Sequence, residues 1–215
     1  MKKKNNYDIV VTGGEGRFAS ILKQEKVRYN IAYPNKRELD ILSIESIKKF
    51  LKKTNPKYLI HLAGLSRPMD IHNKDISKSI DLNIIGTSNI VKVCSDLKIK
   101  LIFFSTNFVY SGQKGNYKES DSVLPFNNYG WSKLGGECAV QMYNNSLILR
   151  VCMTEYPFIH KNAFYDVKNN FLFHKDVSRI IFKILDKKGV INIGGKTLRI
   201  YEFAKKNNPR VKKSY

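Results

Sequence analysis

The stretch Tyr7-Asp8-Ile9-Val10-Val11-Thr12-Gly13-Gly14-Glu15-Gly16-Arg17-Phe18-Ala19 decides the fold of this chain. Tyr7 to Thr12 is a short, β-branched apolar run closed by glycines, the pattern of a strand buried on both faces of a parallel sheet. Gly13 and Gly16 permit a tight turn and a close approach of the backbone to a ligand. Ala19 lets a helix pack closely on the strand, and residues 20–26 carry helical character. Strand, glycine-rich turn and helix in that order form a phosphate-binding opening, because the free N–H groups at a helix start favour an anion. Glycines also make ordinary loops, so the turn gains meaning only with the rest of the chain.

Outward from that opening, strands and helices alternate. Arg28 to Tyr33 predicts a second strand. Residues 43–53 predict a helix with Ser43 as N-cap and Ile44, Ile47, Phe50 and Leu51 on one face. Lys57 to Leu62 predicts a third strand running into Ala63-Gly64, and 76–97 a long helix with polar Asn83 between apolar neighbours. Lys100 to Phe104 predicts a fourth strand leading to Ser105-Thr106-Asn107. A polar loop then delivers the chain to a helix at 129–143, a fifth strand at Ser146 to Val151, a helix at 176–185, a strand at 190–193 and a helix near 201–205. This alternation predicts an α/β fold, a doubly wound parallel sheet of the Rossmann type.

The ends of these strands carry the candidate chemistry. A carboxylate at the end of the second strand would bind the adenosine ribose of NAD, whereas a basic residue would accommodate the 2′-phosphate of NADP. The chain has Pro34-Asn35-Lys36-Arg37 there, which favours NADP with NAD still open; Lys36 and Arg37 also read as plain loop charges. His61 lies within a strand and reads as a packed histidine. Ser105 and Thr106 are placed to polarise a substrate oxygen or, equally, to cap a turn. Tyr129 and Lys133 are four residues apart, so they share one helix face and an ammonium stands beside a phenol. That arrangement predicts a phenol pKa lowered from about 10 toward working pH, where a proton donor is most useful. The same spacing also describes ordinary surface neighbours.

The 215 residues suffice for one domain with a small appendage, and 42% hydrophobic content is that of a globular chain. The net charge of +20 raises nucleic acid or an anionic membrane as partners. Lysines scattered in pairs such as Lys48-Lys49 and Lys187-Lys188, with no nucleic-acid motif beside them, predict neither. Cys94, Cys138 and Cys152 have no zinc-ligand or disulfide spacing and read as core residues of a reducing compartment. Met1-Lys2-Lys3-Lys4 is basic, but the apolar run after it stops at Thr12, too short for a signal peptide or a membrane span. A cytoplasmic protein is expected.

Four features now stand in one order: Gly13-x-x-Gly16-x-x-Ala19, Ala63-Gly64, Ser105-Thr106 and Tyr129-x-x-x-Lys133. From about residue 7 to 205 the chain resembles the extended short-chain dehydrogenase/reductase superfamily, within it the sugar-nucleotide enzymes related to dTDP-4-dehydrorhamnose reductase. Ser105-Thr106-Asn107-Phe108-Val109-Tyr110-Ser111-Gly112 is similar to that family's Ser-Thr-Asp-x-Val-Phe/Tyr-x-Gly segment. Tyr129-Gly130-Trp131-Ser132-Lys133-Leu134-Gly135-Gly136-Glu137 is similar to its Tyr-Gly-x-(Ser/Thr)-Lys-Leu-x-Gly-Glu segment.

The resemblance implies hydride transfer at a sugar carbon with NADP, or NAD, as cofactor and a nucleotide-linked keto-deoxy sugar as substrate, in polysaccharide or surface-glycan synthesis. It implies that Tyr129 moves the hydroxyl proton, that Lys133 binds the nicotinamide ribose and depresses the tyrosine pKa, and that Thr106 steadies the substrate oxygen with Ser105 as fallback. By the same matching Gly13, Gly16 and Arg17 meet the pyrophosphate and Asp40 and Ile41 the adenine. Arg37 would take the 2′-phosphate, Ala63 and Gly64 the adenosine side, and Asn83 a supporting helix contact. Residues 1–155 would be the NAD(P)-binding domain and 156–215 a reduced C-terminal substrate-binding segment packed on it, with its pocket small or completed by a partner subunit. A homodimer through the helices at 76–97 and 129–143 stays open. Related 4,6-dehydratases carry Asp-Glu after the threonine; Asn107 and Phe108 stand there, so dehydration is not expected, and Asn107 also replaces the aspartate of the rhamnose-type reductases. The second function class is a non-catalytic regulatory subunit that retains a dinucleotide or a nucleotide sugar.

Overall fold

The computed structural model describes residues 6–215, and the Met1-Lys2-Lys3-Lys4 segment lies outside them. Six strands form one parallel sheet: β1 (Ile9–Thr12), β2 (Ile31–Ala32), β3 (Tyr58–His61), β4 (Lys100–Thr106), β5 (Ser146–Val151) and β6 (Gly189–Ile193). Their order is β2-β1-β3-β4-β5-β6, with Val10 opposite both Ala32 and Leu59, and Ile102 opposite both Ile60 and Leu147. The order reverses at β1, with β2 on one side and β3 on the other. A crevice therefore opens at the carboxyl ends of β1 and β3, where chains leave in opposite directions.

The helices are α1 (Arg17–Leu22), α2 (Ile44–Thr54), α3 (Ile71–Lys74), α4 (Ile76–Ile80), α5 (Gly86–Leu97), α6 (Asn128–Gln141), α7 (His174–Ile181) and α8 (Ile200–Asn207). Strand side chains alternate between faces, and both faces are apolar, so both are covered. Ile9, Val11, Ile102, Phe104 and Leu147 pack with Phe18 and Leu22 of α1 and Val177 and Ile181 of α7. Val10, Leu59, Leu101, Phe103 and Ile148 pack with Ile47 and Leu51 of α2, Ile90 and Val93 of α5, and Val140 of α6. The doubly wound sheet expected from the alternation is the observed fold.

Local differences from the sequence reading have local causes. β2 is only two residues long, because Asn30 is drawn to Asp8 and Asn6 (2.8 and 2.9 Å) and Pro34, without an N–H, closes the ladder. α1 begins at Arg17, directly on the glycine turn, and ends in tighter i to i+3 bonds from Gln24 and Glu25. α2 forms as read, with the Ser43 hydroxyl accepting the Ser46 N–H at 3.1 Å. The helix expected over 76–97 is interrupted at Asp81–Ile85 by a π-helical turn, which swings Asn83 inward. Cys94 and Cys152 are buried, but Cys138 is exposed: it occupies the outer side of α6, whose neighbours Glu137 and Val140 face in.

Residues 156–215 serve two places. α7 and β6 return to the main sheet, β6 pairing with β5 from Gly189 opposite Leu147 to Ile193 opposite Val151. The rest gathers around Phe158, Ala163, Ala204 and Val211, with a parallel pair between 162–164 and 212–214 and an antiparallel pair between 168–169 and 198–199. Among the described residues no helix is long and apolar enough to cross a membrane.

α6 sits unusually close to the π turn. A Cβ on Gly136 would lie 2.7 Å from the Asn83 carbonyl oxygen and 3.1 Å from the Phe103 ring. Backbone and ring cannot yield there, so Gly136→Ala is expected to destabilise the fold by about 1–3 kcal/mol, read as a lower urea midpoint at unchanged slope.

Candidate active site

A cleft of about 780 Å³ opens over the carboxyl ends of β1, β3, β4 and β5. Gly13, Gly16, Arg17, Gly64, Thr106, Tyr129 and Lys133 all line it, so residues 120 positions apart in the chain meet in one place. Gly13 adopts φ +69, and a Cβ on it would lie 2.9 Å from the Ala63 nitrogen. The ends of β1 and β3 therefore approach without side chains between them. Gly16 donates its N–H to the Gly13 carbonyl at 2.9 Å and starts α1 with extended backbone.

A buried polar chain fixes these strand ends. Thr12 Oγ1 accepts the N–H groups of Leu62 and Ala63 at 3.2 and 3.1 Å and meets His61 Nδ1 at 2.8 Å. His61 Nε2 meets Thr87 Oγ1 at 3.1 Å, and Thr87 in turn donates to the Asn83 carbonyl at 2.8 Å. Since the Thr87 proton is committed to Asn83, Nε2 of His61 carries the ring proton and Nδ1 accepts from Thr12. Burial, with the Lys133 charge beside it, lowers the His61 pKa to about 3, so the ring is neutral. His61 is a structural tie, as its place inside a strand suggested.

Asn83 joins three segments. Its Oδ1 accepts the Leu65 N–H at 2.7 Å, and its Nδ2 donates to the Leu65 carbonyl and to Ser132 Oγ, both at 2.8 Å. Ser132 passes its own proton to the Tyr129 carbonyl at 2.8 Å. The loop after β3, the π turn and the first turn of α6 are thus held together, and Tyr129 is placed by them. Asn127 caps α6 by accepting the Gly130 N–H at 2.7 Å.

Tyr129 lies between His72 and Phe108, with ring centres 5.1 and 6.1 Å away. Thr106 Oγ1 accepts the Phe108 N–H at 3.2 Å, so it does cap the turn at 107–109, yet its own O–H remains to donate. Ser105 Oγ is buried without a hydrogen-bond partner among the described residues. The expected fall of the Tyr129 pKa is not what this environment produces. Burial raises it above the ordinary phenol value, and the opposing pulls come from the Thr106 hydroxyl and the Arg67 charge rather than from Lys133. Lys133 is itself driven down to about 8 by burial, against the attraction of Glu137, and its Nζ rests 4.3 Å from the Phe103 ring centre.

The Lys133 shift makes a pH prediction. Its folded pKa of about 8 lies below the ordinary 10.5, so between those values the unfolded chain binds more protons than the folded one. Stability due to this residue then rises with pH across that window. Lys133→Met is expected to flatten the rise, measured as the difference between the two proteins' urea midpoints from pH 8 to about 10.

Other residues singled out in the sequence lie elsewhere. Arg37 is exposed, with its backbone N–H on Asn35 Oδ1 at 2.9 Å. Asp40 spends Oδ1 on the Leu42 N–H at 3.0 Å, and Ile41 is buried against α5 with its carbonyl taking Asn89 Nδ2 at 3.1 Å. None of the three lines the cleft, nor do Ala63 and Asn83, which support it from behind. The segment after β2 is shaped by its own Asn35 turn and by Tyr33 and Pro34 folding over Gly14. Conversely, the sequence reading missed Arg67 and Glu155, which meet inside the cleft at 2.7 Å. Their only sequence signal is position, just after the ends of β3 and β5.

Methionine adenosyltransferase 2 subunit beta of Xenopus laevis is 32% identical over 124 residues, 57% of this chain and 37% of that protein. A dTDP-4-dehydrorhamnose reductase of Aggregatibacter actinomycetemcomitans is 28% identical over 196 residues, 88% of this chain and 62% of that one. Matched stretches span between 37% and 46% of the methionine adenosyltransferase subunits, so the chain corresponds to less than half of those curated relatives. Among solved structures, the dTDP-4-dehydrorhamnose reductase of Bacillus anthracis in complex with NADP superposes with a TM-score of 0.85 at 22% identity, covering 97% of this chain and 83% of that one. At that identity the likeness is one of fold. The family model matches residues 7–167, and the chain accordingly belongs to the RmlD substrate binding domain family.

Proposed function

We propose that this protein is an NADP-dependent oxidoreductase, with NAD as the alternative cofactor, that reduces a keto group on a nucleotide-linked deoxy sugar used for surface or polysaccharide glycans. The observation that carries this reading is the convergence of Thr106, Tyr129 and Lys133 beside a glycine turn left bare of side chains at Gly13 and Gly16. That bare turn, with Arg17 at its edge, fits the diphosphate of a dinucleotide. Arg37, Asp40 and Ile41, read from the sequence for the adenosine half, do not line this cleft. When bound, NADPH supplies the hydride.

Gly13, Gly16 and Arg17 would hold the diphosphate, and the Lys133 ammonium the ribose hydroxyls next to the nicotinamide. The Thr106 O–H steadies the ketone oxygen by donating to it, and Tyr129 gives that oxygen its proton as the carbonyl becomes an alcohol. The raised pKa of Tyr129 keeps the phenol loaded with its proton at neutral pH. Solvent then returns a proton to the tyrosinate. Support also comes from the reductases among the relatives and from their structures with NADP or NADPH. Exposed Ile76, Ile80, Ile85 and Trp131 suit a helix contact between two copies, which light scattering would read as a doubled mass.

NADPH consumption across a panel of nucleotide-linked keto sugars tests the reaction. Turnover with one of them is expected. The second reading is a binding subunit without catalysis, favoured by the relatives named as subunits of methionine adenosyltransferase. Tight NADPH binding with no turnover across the panel would select it.

A further inference from the structure

Three charged groups from three separate segments meet in the cleft. Arg67, in the loop after β3, donates from Nη1 to both carboxylate oxygens of Glu155, at 2.7 and 2.9 Å. Arg17, at the start of α1, places Nη1 3.4 Å from the same carboxylate. Side-chain exposures are 17% for Glu155, 27% for Arg67 and 51% for Arg17, so the carboxylate is the most enclosed member. All three line the cleft beside the bare glycine turn.

The geometry of Arg67 is unusual in one respect. An arginine committed to a carboxylate commonly presents two nitrogens as a fork. Here a single nitrogen serves both oxygens, and neither Nε nor Nη2 has a protein partner among the described residues. Arg67 itself lines the cleft, which leaves those two donors for a ligand there. One carboxylate is also shared by two guanidinium groups, so the cluster keeps an unbalanced positive charge. Burial pushes the Glu155 pKa up, but the Arg67 hydrogen bond and charge outweigh it, and the carboxyl stays below its ordinary value. Glu155 is therefore an anion at neutral pH, set between two cations inside the cleft.

We propose that Glu155 is a built-in competitor for phosphate: it occupies a clamp formed by Arg67 and Arg17 that a diphosphate-bearing ligand takes over on binding. This rests on the reading that the cleft receives a phosphate-bearing ligand. It adds Arg67 as a recognition group and Glu155 as the group that tunes its affinity. The diphosphate belongs either to the dinucleotide or to the nucleotide-linked sugar, and the two share the chemistry that the guanidinium groups recognise. Each occupies two Arg side chains in place of one carboxylate.

The test is binding by titration calorimetry with the full chain, using inorganic pyrophosphate, NADPH, UDP and dTDP as separate probes. Glu155→Gln removes the competing charge at nearly constant shape and is expected to tighten binding of pyrophosphate by about tenfold, one charge-assisted bond's worth of released competition. Arg67→Met is expected to weaken the same binding by at least about tenfold. A matching change with NADPH alone assigns the clamp to the cofactor, and one with UDP or dTDP alone assigns it to the sugar nucleotide; either supports the proposal. Weaker or unchanged pyrophosphate binding by Glu155→Gln overturns it. If that variant fails to fold, Glu155→Asp, which keeps the charge but draws it back from Arg67, is to be measured instead. Tighter binding supports the competitor role, and unchanged or weaker binding rejects it. None of these outcomes depends on turnover, so failure of the reductase reading stays distinguishable.

Discussion

Tyr129→Phe is expected to slow reduction of the keto sugar by about 10²–10⁴-fold, the usual contribution of a positioned general acid. NADPH binding should stay essentially where it is. Phenylalanine keeps the ring contacts with His72 and Phe108 and the backbone link from Ser132, so only the O–H is lost. Steady-state kinetics read the effect in kcat, with NADPH titration as the control. A variant that kept full turnover would assign the proton to another group. The pH profile adds a second readout. Because Tyr129 is raised by burial and Lys133 lowered to about 8, the alkaline fall of the wild-type rate should follow Lys133 losing its proton before the phenol does.

Arg150→Met carries the largest expected effect on stability. Arg150 on β5 and Glu137 on α6 are 5% and 1% exposed. Arg150 Nη2 donates to Glu137 Oε2 at 2.9 Å, and its Nε lies 3.2 Å from both carboxylate oxygens. Nη1 reaches the Tyr110 hydroxyl at 2.8 Å, and that hydroxyl lies 2.9 Å from Asn192 Oδ1 of β6. Removing the guanidinium leaves the Glu137 charge buried without its counter-ion, a loss of about 3–5 kcal/mol. For a chain of this size each kcal/mol lowers the thermal midpoint by about 2–4 °C, so a fall on the order of 10 °C is expected in thermal unfolding. The double variant Arg150→Met, Glu137→Leu removes both charges and should recover much of the loss, since an apolar pair of similar volume is often no worse than a buried ion pair. Additive losses would contradict this account.

The two variants mark the difference between what side-chain patterns announce and what they hide. Thr106 was legible because it follows directly on a predicted strand, whose end in such a sheet points to the crevice, and Tyr129 and Lys133 because residues four apart in a predicted helix share one face. Gly13 and Gly16 were legible for the same reason as Thr106. Arg37, Asp40 and Ile41 were carried by spacing along a segment with no regular structure, and there spacing fixes nothing: the Asn35 turn and the Asp40 turn decide where the side chains go. The depressed phenol pKa was inferred from one neighbour. Desolvation acts through every surrounding atom and has no signature in a helical interval, so its larger opposite effect was invisible.

Asn83 shows the same boundary within one residue. Its polarity among apolar neighbours flagged it, but the π turn that aims it at Leu65 and Ser132 depends on Gly136 allowing α6 to approach. By itself the sequence determined the alternating elements, the doubly wound sheet, the glycine turn and the residues at strand ends, because these follow from periods of 2 and 3.6 and from what glycine permits. Only the tertiary structure decided which of those residues share the cleft, that Arg67 and Arg17 converge on Glu155 there, and that Tyr129 keeps its proton. Burial, charge partners and through-space distances arise between segments far apart in the chain, 88 residues for Arg67 and Glu155, and no local pattern encodes them.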